Sequence, residues 1–262
     1  MILTIGMASY KNYSDVWFTV QALRMYHDLT DCEILIIDNF GDIGLENWCK
    51  GQVPYNVRYE KFTEPRGTAA PRQRVFEQAK GDFVICIDSH VLLKSRAIDK
   101  MKQWILANPG CSHLIHGLML YDDFQTHVDQ MKPEWACHMW GVWGPALTEI
   151  PTKPYEIPMH GMGIFGAFKN QWLGFNPEFR GFGGEEGYIH EKYHKAGRKV
   201  LCLPWLTWMH KFHCQMSPTL YPNILEERIR NYYAGFREIG LDTEPIRQHF
   251  GDALIKKAGI KL

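Results

Sequence analysis

Three short, branched-aliphatic runs punctuate the first third of the 262-residue chain: Ile2 to Ile5, Glu33 to Ile37 and Phe83 to Ile87. Apolar runs that do not alternate with polar residues suit strands buried on both faces, and the stretches between these are long enough to hold helices. The pattern is that of an α/β fold. Apolar residues at helical spacing predict a helix over Asp15 to Asp28, where Val16, Val20, Leu23 and Tyr26 recur. A second is predicted over Pro71 to Lys80, opening on proline and stopping at Gly81. In open sheets of this kind ligands settle in the crevice outside the carboxyl ends of the strands. The first candidates for function are therefore the residues that follow the runs, Gly6 to Tyr10, Asp38 to Gly41 and Asp88 to His90.

Beyond Cys111 the pattern breaks up. Cys111 to Pro158 is rich in aromatic residues, Pro and His, and reads as long surface loops over the scaffold, where a partner would bind. Gly161 to Pro204 returns to regular structure through a Gly-rich turn, GFGGEEG, and a helix around Tyr188 to Ala196. From Asn223 to Gly240, residues Ile224, Leu225, Arg228, Ile229, Tyr232, Tyr233 and Phe236 fall at helical intervals.

Composition narrows the classes. Twenty-nine basic residues balance 29 acidic ones, which excludes a strongly basic nucleic-acid coat or an acidic tail, and 45% hydrophobic content excludes disorder. Nine Trp suggest flat ring surfaces lining a cleft. The seven cysteines include no C-x-x-C pair and signal neither a disulfide framework nor a zinc ribbon. No apolar run approaches the ~20 residues a membrane-spanning helix needs. The opening residues lack a basic segment of the signal-peptide kind, so a soluble, cytoplasmic chain is expected.

The sharpest local feature is ICIDSHV, in which Asp88 and His90, two apart in extended chain, point the same way. A carboxylate oxygen with an imidazole suits manganese or a similar divalent cation, and two ligands call for a third. A strand-end Asp that merely caps the next turn is the competing reading. Glu185 and Glu186 form a carboxylate pair, fit either for acid–base chemistry or for the acid-favouring first turn of a helix. His210 and His213 follow on a later segment, as ligands or as half-buried polar residues.

Order and spacing together resemble a GT-A glycosyltransferase of the family 2 type, most closely the catalytic domain of the polypeptide N-acetylgalactosaminyltransferases. EILIIDNFG is similar to that family's second strand and its acidic end, and RGTAAPRQRVFEQAKGDFVICIDSH to its run into a D-x-H metal motif. GFGGEEGYIHEKYHKAGRKVLCLP is similar to its W-G-G-E-N segment and the following strand, and His210 lies six residues after Pro204, as the family's third ligand follows its own proline. The resemblance spans Ile2 to His213. It implies a single-domain, Rossmann-like fold with a mostly parallel central sheet flanked by helices. Residues 1–215 would be catalytic, with 1–110 binding the nucleotide sugar and 111–215 the acceptor, and 216–262 a helical extension packed on the domain. It implies Asp88, His90 and His210 as ligands of Mn2+, or of another divalent cation such as Mg2+. Thr4, Ser9, Asp38, Arg72 and Asp88 would bind the donor, and Glu185 and Glu186 would face the acceptor and the anomeric carbon.

The activity implied is metal-dependent transfer of a sugar from a nucleotide-sugar donor, UDP-linked, to a glycan, protein or small molecule. Phe182-Gly183-Gly184-Glu185-Glu186 stands where the family has Trp-Gly-Gly-Glu-Asn, which leaves inversion and retention both open. A modified DNA base as acceptor would need a confined basic surface, for which Lys192, Lys195, Arg198 and Lys199, or Arg228, Arg230 and Arg237, are the candidates. Competing readings are a sugar-phosphate nucleotidyltransferase and a non-catalytic carbohydrate- or nucleotide-binding module.

Overall fold

The computed structural model describes residues 2–52, 56–212 and 221–261; His213 lies outside them. Strand and helix alternate through β1 (Leu3–Ser9), α1 (Tyr13–Tyr26), β2 (Cys32–Asp38), α2 (Ile43–Lys50), β3 (Val57–Lys61), α3 (Ala69–Gln78), β4 (Phe83–Asp88), β5 (Val91–Leu93) and α4 (Ala97–Ala107). There follow β6 (Leu114–Leu120), β7 (His127–Val128), a hairpin of β8 (Met131–Ala136) and β9 (Met139–Trp143), β10 (Tyr155–Glu156), β11 (Ile164–Phe168), α5 (Glu185–Lys195) and β12 (Val200–His210). Two helices, α6 (Leu225–Glu238) and α7 (Glu244–Lys257), close the chain.

The three apolar runs become β1, β2 and β4, and with β3 they form a parallel block in the order β3-β2-β1-β4. Beyond β4 the sheet continues through antiparallel β11 to β6 and then β12, which runs parallel to β6. Because β11 is reversed against both neighbours, β6 and β12 point the same way as β4. The carboxyl ends of β1, β2, β4, β6 and β12 therefore share one edge, the topological reason that Asp88 and His210 can meet.

Alternate residues of the buried strands serve two cores, as the pleat requires. Ile34, Ile36, Phe83 and Ile85 pack with Val16, Val20 and Leu23 of α1 and with Ile98 and Met101 of α4. Leu35, Ile37, Val84 and Cys86 face Val75 and Phe76 of α3 and Tyr188 and Ile189 of α5. Residues 111–158 depart from the loops expected of them. LIHGLML is a buried strand in the middle of the sheet, its continuous apolar run masked by one histidine, and the Trp- and Met-bearing stretch after it is the β8–β9 hairpin. The hairpin's Trp135 and Trp140 pack on Tyr232 and Phe236 of α6 and Phe250 of α7.

Candidate active site

Asp88 ends β4, and its backbone N–H donates to Gly163 O at 3.0 Å, which ties the strand end to the entry of β11. His90 follows across a tight turn, and His210 ends β12, where it pairs with Val91 of β5. His90 Nε2 and His210 Nε2 lie 3.1 Å apart, and His210 Nε2 is 3.5 Å from Asp88 Oδ2. One ligand atom from each residue fits within 4.8 Å of the others. Ligands about 2.1 Å from a shared cation stand roughly 3 to 3.5 Å from one another, so this oxygen and these two nitrogens fit a single divalent ion.

Arg72, on the inner face of α3 and 7% exposed, joins this set to the carboxylate pair. Its Nη2 donates to Asp88 Oδ1 at 2.7 Å and its Nη1 to Glu185 Oε1 at 3.0 Å. Burial pushes the Asp88 carboxyl up, but the Arg72 charge and the hydrogen bond with His210 outweigh it and hold the group well below the usual carboxylate range. Glu185 is 2% exposed and bound to that guanidinium. For Glu186, half-buried, the hydrogen-bonded partners among the described residues reach only its backbone carbonyl. Burial first, and then the charge of Glu185, push the Glu186 carboxyl up to about 8.

The pair sits at the N-terminus of α5, entered through Gly183 and Gly184 at φ 92° and 100°, a region closed to most residues with a side chain. A Cβ on Gly184 would also meet Asn231 Cβ at 2.8 Å. Asn231 and Arg228 of α6 brace this turn. Asn231 Nδ2 donates to Arg180 O and Gly183 O, and Arg228 Nε donates to Phe182 O. Arg228 is thus buried machinery, a correction to its candidacy as a surface cation for nucleic acid. Lys192 and Lys199 of the alternative basic set are paired with Glu238 and Glu156.

A cavity of about 460 Å³ opens over these groups and brings Arg72, Asp88, His90, Glu185, Glu186 and His210 onto one wall. On the β1 side Ala8 and Tyr10 line it, while Ser9, between them on the opposite face of the strand, is buried beside Asp38. Asp38 is fully buried and accepts from the N–H groups of Phe40 and Asp42 and from the Tyr59 hydroxyl, so it shapes the loop carrying Phe40. Thr4 does not reach the cavity: it lies near the other end of β1, bonded to Glu33 and to Gly81 N–H. Tyr10, expected at this strand end, stacks on Tyr221 at 4.3 Å on the cavity wall; sequence reasoning missed Tyr221, since an isolated tyrosine carries no spacing signal.

The model of glycosyl transferase family 2 matches residues 4–142, more than half of the chain, so this protein belongs to glycosyl transferase family 2. No protein of curated function matches the sequence. Among solved structures, GalNAc-T7 with UDP, GalNAc and Mn2+ superposes with a TM-score of 0.71 at 16% identity over 100% of this chain and 55% of that one. This chain thus spans about half the length of GalNAc-T7. TarS 1–349 from S. aureus in complex with UDP-GlcNAc gives 0.59 at 13% identity, covering 100% and 77%. A mannosyltransferase from Pyrobaculum calidifontis in complex with GDP-Man and Mn2+ gives 0.59 at 13%, covering 98% and 67%. All three share the GT-A architecture described above.

Proposed function

We propose that this protein is a metal-dependent glycosyltransferase that moves a sugar from a UDP-linked donor to an acceptor hydroxyl. The observation that carries the reading is the convergence of Asp88, His90 and His210 beside Arg72 and the Glu185–Glu186 pair in one cavity. Family membership and likeness to proteins solved with UDP or GDP-Man and Mn2+ support it. Held by Asp88, His90 and His210, a divalent cation such as Mn2+ supplies positive charge where a diphosphate leaving group becomes more negative.

The chain's own groups divide the remaining work. Residues 1–110 form the donor side, with Tyr10 and Phe40 edge to face at 5.5 Å and the Lys11 ammonium 4.8 Å from the Phe40 ring as an aromatic and cationic rim for the nucleotide. Arg72 orients Asp88 and Glu185 and adds its own charge against the donor. Glu186, whose carboxyl is free of side-chain partners among the described residues, takes the proton of the acceptor hydroxyl. The acceptor oxygen bonds to the anomeric carbon as the bond from that carbon to the diphosphate breaks, and the electron pair leaves with UDP. Cys32, Cys49, Cys86 and Cys202, buried and free, suit a reducing compartment and hence a cytoplasmic enzyme.

Calorimetry of UDP with and without Mn2+, followed by donor hydrolysis across a panel of nucleotide sugars, tests the proposal. Metal-dependent UDP binding and hydrolysis of one donor are expected. UDP binding that ignores the metal, with no donor consumed, would refute it.

A further inference from the structure

The cavity is divided chemically as well as topologically. Its ionic wall lies at the ends of β4 and β12, and the parallel block beyond β4 supplies the donor side. The side reached from β6, the β8–β9 hairpin, β11 and β12 is lined by Met119, Met131, Met139, Met162, Trp143 and Trp208. Trp208 turns its one polar atom away, donating Nε1–H to Gly117 O at 3.1 Å. Its ring lies so close against the backbone that a Cβ on Gly163 would meet it at 2.5 Å. The Met131 N–H is likewise engaged, by Met159 O at 2.8 Å. Among the described residues that line this end, Glu185, Glu186 and His210, its ring 6.0 Å from that of Trp208, carry ionisable groups.

Such a lining does not suit a sugar. Each hydroxyl of a buried glycan needs a polar partner, and a wall of thioethers and ring faces would leave most of them unsatisfied. Thioethers and indole faces instead accept flat or irregular apolar groups, because methionine adapts its shape and sulfur contacts aromatic rings favourably. We infer that this end of the cavity is the acceptor subsite and that it takes a hydroxyl carried on an aromatic or aliphatic group, excluding a second sugar. The inference rests on the transferase reading above, because that reading supplies the reason for a hydroxyl to lie beside Glu186.

The test uses the full chain saturated with Mn2+ and UDP, titrated with 2-(indol-3-yl)ethanol and, separately, with methyl β-D-glucopyranoside, and followed by tryptophan fluorescence and saturation-transfer NMR. The expected result is that the aromatic alcohol binds at least tenfold more tightly. Met139→Gln, from a half-buried hairpin position, should shrink that ratio several-fold, and a ratio is insensitive to any fraction of unfolded protein. Equal binding, tighter binding of the glycoside, or a ratio unmoved by the substitution while UDP still binds would overturn the inference and leave the transferase reading intact. Failure of UDP to bind with Mn2+ would strike the transferase reading itself, and the acceptor inference would fall with it.

Discussion

Replacing Glu186 with glutamine should strengthen the fold and disable the enzyme, and both effects should depend on pH. Burial and the neighbouring Glu185 raise the Glu186 pKa from 4.5 to about 8 in the folded protein. A carboxyl whose folded pKa lies above its unfolded value binds its proton more tightly when folded. It therefore costs nothing below pH 4.5, and its destabilising effect grows as pH rises from 4.5 to about 8. At about 1.4 kcal/mol per pH unit the cost is of order 3 kcal/mol by pH 7. Glutamine fills the same space without ionising, so the variant should match the wild type at pH 5 and melt on the order of 5 to 10 °C higher at pH 7 to 8. Transfer should fall on the order of 10² to 10⁴-fold, the usual effect of losing a general base. Wild-type kcat/KM should climb nearly tenfold per pH unit to a break below 8, because the bound cation favours the ionised carboxylate, and the residual rate of the variant should not. Scanning calorimetry at pH 5, 7 and 8 with a transfer assay decides the matter. A melting difference that ignores pH, or a variant as active as the wild type, would refute the reasoning.

Substituting Asp88 with Asn or His210 with Ala removes one of the three converging side chains proposed to hold the cation, and Mn2+-dependent UDP affinity should fall tenfold or more in titration calorimetry. The weaker UDP binding without metal should change little. Replacing Arg72 with Met strands the buried Asp88 and Glu185 carboxylates without their cation, at about 3 to 5 kcal/mol, so the denaturant midpoint should drop markedly at pH 7. An unchanged midpoint would mean that the pairings contribute nothing. Gly184→Ala places a methyl group in the left-handed region against Asn231; stability should fall by about 1 to 3 kcal/mol, with kcat lowered more than KM is raised.

In the parallel half, β1, β2 and β4 were legible as short apolar runs, α1 by its periodicity and α3 by its proline start and glycine stop, whereas β3, VRYEK at the sheet edge, and the short α2 carry no such signal and were not read. The antiparallel half was not legible. His116 and Gly117 interrupt β6 on paper, yet His116 lies fully buried, its Nδ1 2.9 Å from Ile164 O and its Nε2 2.9 Å from His190 Nε2. A polar residue satisfied by distant partners looks like a loop residue until those partners are known. The convergence of Asp88, His90 and His210 was legible through D-x-H and the spacing from Pro204, because residues at strand ends keep their spacing with the strands. Arg228 and Asn231 were hidden in a helical stripe that read simply as core and charge. Their role is to grip backbone carbonyls of the Gly-rich turn, and carbonyls leave no trace in a residue pattern.

Arg72 makes Asp88 and the acid pair one electrostatic unit. It neutralises only one of the charges of Asp88 and Glu185, so an ionised Glu186 leaves this buried set two charges negative. A divalent cation at Asp88, His90 and His210 compensates that excess, and ionisation of Glu186 and cation binding must therefore favour each other by the same factor. Under the proposed mechanism, this coupling would make the base available once the donor's metal is in place. It can be read without turnover. Between pH 6 and 8, Mn2+ affinity should rise several-fold more in the wild type than in Glu186→Gln, which has no carboxyl to ionise at that position. Equal pH slopes for the two proteins would show that the acid pair and the metal site act independently, and Arg72 would then be a structural tie alone.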